Sequence, residues 1–519
     1  RAVEAGQWPS MDGRHPTNGF HPLFMLLLVG LQALAGTDPR RLLPLVMTLN
    51  LALNAAAAWI VARAAGRSAG APLLAALILA LSPGWMAHGL VGVENGVSSL
   101  LLLVIALRWR ARLARARTPA PAGPGAVLAD GGLCGLAMLA RTDTAIFVAA
   151  LLAVALATQA RGQGARAALR DAALTCAAAA LVVAPWLALS LWRFGTITQD
   201  SAAALAVRYR RAAGSPGSPE WLRLAALSLA FWTFRFARAW GLAPLTGWLA
   251  GLSVPWDRWR ADMRRAWLPW LPVALCAVAV ALRANDTLWI GSVRQAALEV
   301  GLACVALACG LVMPRAAPAG DRAWWWALAG AAVLEAAIYT VFFQAFQVWY
   351  TTGAVLVGIL LLTWPALAGL ARARPGLVAA LAALVALDAG LAVARYLERG
   401  GREGMSRTVL ADGAALRGRL EAATAAAGGR LGFGCFDSGK LSYLVHPFPV
   451  ANLDGVMSHA ASVALERGEL PGFMRREGVT HIVTSMDRAA VFQRVSPFEV
   501  RPDSALARRL GVPILAVVR

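Results

Sequence analysis

Apolar runs close to the roughly 20 residues that a helix needs to cross a bilayer recur along this chain as far as about residue 396. Runs of that length and frequency constrain the fold more than any motif does. They predict an all-α polytopic membrane domain over residues 1–400, built from about 11 apolar segments. The composition agrees, since 519 residues that are 59% hydrophobic and 15% charged are far too apolar for a soluble protein. From 401 to 519 the composition becomes ordinary and helix-like and strand-like patterns alternate. A small α/β domain is expected there.

The net charge of +21 resides almost wholly in Arg, with Lys440 the only lysine, and the arginines sit mainly in short gaps between apolar runs. That placement is the signature of loops that set membrane orientation, with contact to anionic lipid headgroups, and it argues against nucleic acid as a partner. The six cysteines are scattered. Cys134, Cys176, Cys276, Cys304 and Cys309 lie in or beside apolar runs and read as small buried hydrophobes, and Cys435 stands alone in the tail.

Alternating Arg-rich and Arg-poor turns give a topology. Leu23 to Leu34 is short and lies along or dips into the outer surface. Leu42 to Val61 crosses inward, Pro72 to Leu90 outward, and Val97 to Leu107 inward to the cluster Arg108, Arg110, Arg112, Arg115 and Arg117. A Pro/Gly-rich linker, 118–125, follows. Gly131 to Ala140 and Ala145 to Ala157 flank an outer turn at Arg141, Thr142 and Asp143. Leu174 to Leu191 crosses outward into an exposed loop from Trp192 to about Arg223, and further crossings fall near 225–250, 266–282, 289–312, 324–343, 353–371 and 376–396. This places Arg110 inside, and Ser458 outside with the rest of the tail. In that tail Arg430 to Phe436, Pro449 to Leu453 and Thr480 to Thr484 read as strands, with helices at Ala460 to Arg467 and Pro471 to Glu477.

Chemistry is concentrated at one membrane edge. His15 to Pro22 spells HPTNGFHP, a turn-rich segment that makes a poor helix but a good rigid loop at a lipid–water boundary. His15, Asn18 and His21 line a site there or simply cap the next helix. Glu94 is the only acid in a long apolar region, and lines a cavity or sits in a solvated turn. Arg141 and Asp143 would each cost about 2.5–3.5 kcal/mol at membrane depth, so they need partners or a wet cavity, and they either neutralise each other or meet a ligand. Arg208, Arg210 and Arg211 form an interfacial patch. Glu299 and Glu335 lie inside apolar runs, and Trp324 to Trp326, with Trp349 and Tyr350, read as interface belts. Gly434 to Leu441, GCFDSGKL, imitates a phosphate-binding loop, but Leu441 replaces the metal-holding hydroxyl, and we read it as a decoy.

HPTNGFHPLF (His15 to Phe24), GVEN (Gly92 to Asn95), LARTD (Leu139 to Asp143), WRFGT (Trp192 to Thr196), VWY (Val348 to Tyr350) and NLDG (Asn452 to Gly455) occur in an order that resembles the bacterial integral-membrane glycosyltransferases of the GT-C fold. That group includes protein O-mannosyltransferase-like, aminoarabinose and arabinofuranosyl transferases. The resemblance implies a multi-pass protein of the bacterial inner membrane with an extracytoplasmic C-terminal domain. It also implies a polyprenyl-phosphate sugar donor in the outer leaflet, transfer to a hydroxyl on a glycan, lipid or protein acceptor, and inversion at the anomeric carbon. His15, Asn18, His21, Arg141, Asp143, Arg208 and Tyr350 are then the substrate-binding candidates and Glu94 the catalytic candidate. Members carry their acidic motif just after a first helix, which would lie upstream of Arg1, and neither Glu4 nor Asp12 stands in such a motif. The chain opens without Met or a first spanning helix, so an N-terminal piece is expected to precede it. No metal-ligand cluster is evident, and a divalent cation stays open as a cofactor. Two rival readings are a non-catalytic scaffold on the same fold and a transporter of lipid-linked sugars.

Overall fold

The structure, a computed structural model, describes residues 8–10, 14–36, 39–64, 94–115, 123–226, 228, 322–343, 407–436, 438–484, 486–493 and 496–518. The expected crossings at 72–90, 266–282, 289–312, 353–371 and 376–396, nearly all of 225–250, and Glu299 and Tyr350 lie outside these residues.

The membrane part is helical: α1 (Pro22–Ala35), α2 (Pro39–Ala64), α3 (Asn95–Arg115), α4 (Pro124–Ala140), α5 (Thr144–Gln163), α6 (Ala165–Phe194), α7 (Asp200–Ala213) and α8 (Arg322–Ile338), the last running into a π-helical turn, Tyr339–Phe343. Among the described residues four helices are long and apolar enough to cross a membrane: Pro44–Ala64, Thr144–Gln163, Ala165–Phe194 and Ala323–Val341. Exposed Leu181, Leu191 and Trp192 on α6 show its apolar outer face, as expected of a helix bathed in lipid.

α4 and α6 pack through small residues. A Cβ on Gly131 would come within 2.4 Å of the Thr175 carbonyl oxygen, and one on Gly135 within 2.7 Å of Val182. Gly131 and Gly135 thus act as the small-residue pair that lets two membrane helices approach. At the Arg-rich end, Asp130 accepts from Arg108 at 2.6 Å and Arg112 donates to Thr175 at 3.1 Å. Gln159 donates to Asp171 at 2.8 Å, so polar groups cross-link α3 to α6 where their like-charged ends meet.

Several sequence expectations need correction. α4 starts at Pro124, so Pro124 and Gly125, expected at the end of a linker, are helical; proline suits a first helical turn because its missing N–H has no partner there anyway. The segment from Trp192 to Arg223 is not an exposed loop. α6 continues through Phe194, α7 occupies much of the remainder, and Asp200 is buried. Trp324 and Trp325 are not belt residues, since both are buried and Trp324 donates its indole N–H to the Ala106 carbonyl at 2.6 Å; only Trp326 is exposed. Cys134 is buried as expected, but Cys176 is exposed.

The C-terminal part is an α/β unit. Its sheet has five strands in the order β2-β1-β3-β5-β4, formed by β1 (Phe433–Cys435), β2 (Ala451–Asn452), β3 (His481–Val483), β4 (Val500–Pro502) and β5 (Ile514–Val517). β1 runs parallel to β2 and β3, whereas β5 runs antiparallel to β3 and β4. The helices are α9 (Arg407–Ala426), α10 (Ser438–Val445), α11 (His459–Arg467), α12 (Leu470–Arg476), α13 (Met486–Gln493) and α14 (Ser504–Leu510). One core gathers Phe436, Leu465, Phe473, Ile482, Phe492 and Leu515; a second gathers Leu420, Phe433, Val445, Leu510 and Ile514. Side-chain alternation along short strands sends neighbours such as Ile514 and Leu515 to opposite layers. Gly434, in the phosphate-loop imitation, has a packing reason: a Cβ there would lie 2.6 Å from the Leu453 side chain.

Candidate active site

The start of α3, the turn between α4 and α5, and the end of α8 meet at the bundle end away from the Arg-rich cluster. Arg141 caps α4 in extended conformation, which turns its side chain across to α3. Its Nη1 donates to Glu94 Oε1 at 2.7 Å and Asn95 Oδ1 at 3.0 Å, and its Nε and Nη2 donate to the two oxygens of Asp143 at 3.0 and 2.5 Å. Tyr339, in the π-helical turn, donates to Asp143 Oδ2 at 2.6 Å. His21 Nε2 reaches Glu94 Oε1 at 3.4 Å. One guanidinium thus faces two carboxylates, and the Arg141 fork is taken up by protein groups.

These contacts set the charges. Burial opposes ionisation of Arg141, but Asp143 and then Glu94 outweigh it and hold the guanidinium well above its usual range. Burial likewise opposes charge on Asp143, but Arg141 and the Tyr339 hydroxyl prevail and hold its carboxyl below the usual range. For His21 burial wins over the attraction of Glu94 and, helped by the charge of Arg141, pushes the imidazole below its ordinary value. Its Nδ1 is buried with no hydrogen-bond partner among the described residues. Beside the cluster, Ser98, Leu102, Thr144, Phe147 and Glu335 line a cleft with Arg141 and Asp143.

The HPTNGFHP loop lies across this end. Asn18 donates from Nδ2 to the Thr198 carbonyl at 3.2 Å, and Gln199 donates to the Phe20 carbonyl at 3.0 Å while accepting from Thr142 at 2.9 Å. Aromatic rings back it, with Trp8 stacked on Trp186 at 6.2 Å and Phe20 tilted against Trp186 at 5.3 Å. His15 points the other way, reaching Glu477 at 3.1 Å and packing on Phe473 of the α/β unit. Arg208 also reaches that unit, over the ring of Phe492 at 5.5 Å.

A comparison of the sequence with protein-family models finds no match, and a comparison with curated proteins finds none either. This chain is similar to a solved structure. It is the crystal structure of ArnT from Cupriavidus metallidurans bound to undecaprenyl phosphate, which is 15% identical, covering 99% of this chain and 91% of that one with a TM-score of 0.41.

Among the expected site residues, His21, Arg141 and Asp143 gather with Glu94, Asn18 lies one layer away against α7, and His15 and Arg208 engage the α/β unit. Sequence reasoning missed Tyr339, Asn95, Gln199 and His459 as site residues. It placed Asp200 in a loop, although an isolated acid before an Ala-rich run is a helix-start signal. Among the described residues no group of three or more His, Cys, Asp and Glu is arranged to hold a metal ion.

Proposed function

We propose that this chain is a membrane glycosyltransferase that moves a sugar from a polyprenyl-phosphate donor to an acceptor hydroxyl on the extracytoplasmic face, with inversion. The observation that carries the reading is convergence. Stretches bearing the family resemblance, far apart in sequence, meet at one bundle end: Glu94 and Asn95 on Arg141, His21 on Glu94, and Gly19 under Val456, the residue that follows NLDG.

In this reading Glu94 is the general base. Among the described residues Arg141 and His21 both contact Oε1, which leaves Oε2 for the acceptor hydroxyl. The hydroxyl oxygen attacks the anomeric carbon as Glu94 takes its proton, and the bond to the phosphate oxygen breaks with its electron pair, releasing polyprenyl phosphate. Arg141 serves to orient the two carboxylates, because its Nε, Nη1 and Nη2 each donate to one of them. The neutral His21 offers Nδ1 as an acceptor for a substrate hydroxyl. The bundle end carrying this cluster is the extracytoplasmic one, and the Arg-rich end is cytoplasmic.

Purified protein in lipid vesicles, supplied with either a polyprenyl-phosphate sugar or a nucleotide sugar, tests the donor class. Transfer from the lipid donor alone is expected. Transfer from a nucleotide sugar with no polyprenyl carrier present would refute the reading.

A further inference from the structure

Asp200 opens α7 and is 2% exposed, yet two distant stretches of chain converge on its carboxylate. Oδ2 accepts from the Thr17 hydroxyl at 2.9 Å and the Asn18 backbone N–H at 3.2 Å, and Oδ1 lies 2.7 Å from Nδ1 of His459 on α11. The Asp200 N–H in turn donates to Asn18 Oδ1 at 2.9 Å. The α/β unit meets the same loop elsewhere: the His459 N–H donates to the Pro16 carbonyl at 3.3 Å, and Val207 of α7 belongs to the core of that unit. Three residues beyond Asn18 stands His21, on Glu94.

We propose that Asp200 is a positioning residue that couples docking of the α/β unit, through the 15–22 loop, to the contact between His21 and Glu94. Both oxygens of Asp200 accept, one from each side. Asp200→Ala removes both acceptors and so cuts the link to the loop and the link to His459 together; an amide would not, because its NH₂ could donate to Nδ1 of the other imidazole tautomer. The loop then keeps its contacts to the Thr198 carbonyl, to Gln199 and to the backbone N–H groups of residues 200 and 459, but it loses the carboxylate that fixes Thr17 and the Asn18 N–H, and His21 is held less firmly. The proposal rests on Glu94 being the base, but the coupling itself has a readout that needs no activity.

Hydrogen exchange and kinetics of the full chain in lipid nanodiscs test it together. In Asp200→Ala, exchange of the Asn18 and Gly19 amides, which donate to Asp200 and to Thr17 Oγ1, is expected to speed up about tenfold while that of α5 is unchanged. Turnover should fall about tenfold with the donor KM within about twofold, because misplacement of a base by a fraction of an ångström acts on the chemical step. Adding His21→Gln should cost no more than His21→Gln alone, since both changes act through one contact. Should Asp200→Ala fail to fold, His459→Phe, at a side chain 27% exposed, removes the donor to Oδ1 while keeping a ring beside Phe194, with the same expected pattern. Unchanged exchange over 17–20 would overturn the coupling, as would losses that multiply in the double variant. Wild-type protein that transfers no sugar would refute the base assignment, and the exchange result would still decide the coupling.

Discussion

Nη1 of Arg141 donates to Oε1 of Glu94 at 2.7 Å across 47 residues of sequence. Two short motifs that each carry an unexplained membrane-edge charge therefore solve one problem between them. The cost of desolvating each is met by the other and by Asp143, and removing one partner of such a pair typically costs about 3–5 kcal/mol.

Arg141→Lys keeps the charge but cannot span both carboxylates, so at least one buried acceptor loses its donor. Thermal unfolding in detergent should show a loss of about 1–3 kcal/mol. Arg166→Lys, at an exposed position in the first turn of α6, serves as the control and should leave Tm in place. Equal melting of wild type and Arg141→Lys would mean the fork geometry is irrelevant.

The buried His21 gives stability a pH dependence of definite sign. Its folded-state value lies below the ordinary one, so between that lowered value and about 6.5 the unfolded chain binds a proton that the folded chain does not. The stabilisation is complete above about 6.5 and is lost as pH falls through that window. His481, lowered by burial against the pull of Asp503, acts in the same direction, but it is common to wild type and variant. Tm measured from pH 8 to 5 should fall less steeply in His21→Gln than in wild type; parallel curves would contradict the burial of a neutral imidazole.

Gly19 is pressed against the α/β unit, where a Cβ would stand 2.0 Å from the Val456 carbonyl oxygen. Gly19→Ala must displace that backbone, and overpacking of this kind costs about 1–3 kcal/mol. Gly132, with nothing within 4 Å, offers the contrast: Gly132→Ala in α4 should be neutral or stabilising. Limited proteolysis of the α/β unit should accelerate in the first variant and not in the second.

The membrane helices were legible because lipid demands long apolar runs and Arg marks their ends, and the edge cluster because a charge at that depth needs a reason. The misses have physical causes as well. Trp324 looked like a belt residue because aromatic residues favour interfaces, but its N–H found a carbonyl on a neighbouring helix. Tyr339 carries no signal in an apolar run, and only the π-helical turn presents its hydroxyl to Asp143. Asp200 looked solvated because its partners lie 182 residues upstream and 259 downstream. β4 and β5 escaped notice because one holds Arg501 and Pro502 and the other is four residues long.

Orientation is testable with single cysteines in a background lacking the native ones. Ser458 is buried as the cap of α11, so Arg467, exposed at the end of that helix, is the better reporter, with Arg166 for the Arg-rich end. A membrane-impermeant thiol reagent on intact cells should label Arg467→Cys and spare Arg166→Cys. The reverse pattern would put the cluster on the wrong face for a donor in the outer leaflet.

The most direct measurement is single-turnover release of polyprenyl phosphate from a polyprenyl-phosphate sugar, comparing wild type with Glu94→Gln in vesicles with acceptor present. The amide keeps shape but cannot take a proton, so release should slow by about 10²- to 10⁴-fold while donor affinity holds. The wild-type product should carry the inverted anomeric configuration. Release by Glu94→Gln at the wild-type rate, or a product of retained configuration, would contradict a single displacement driven by Glu94.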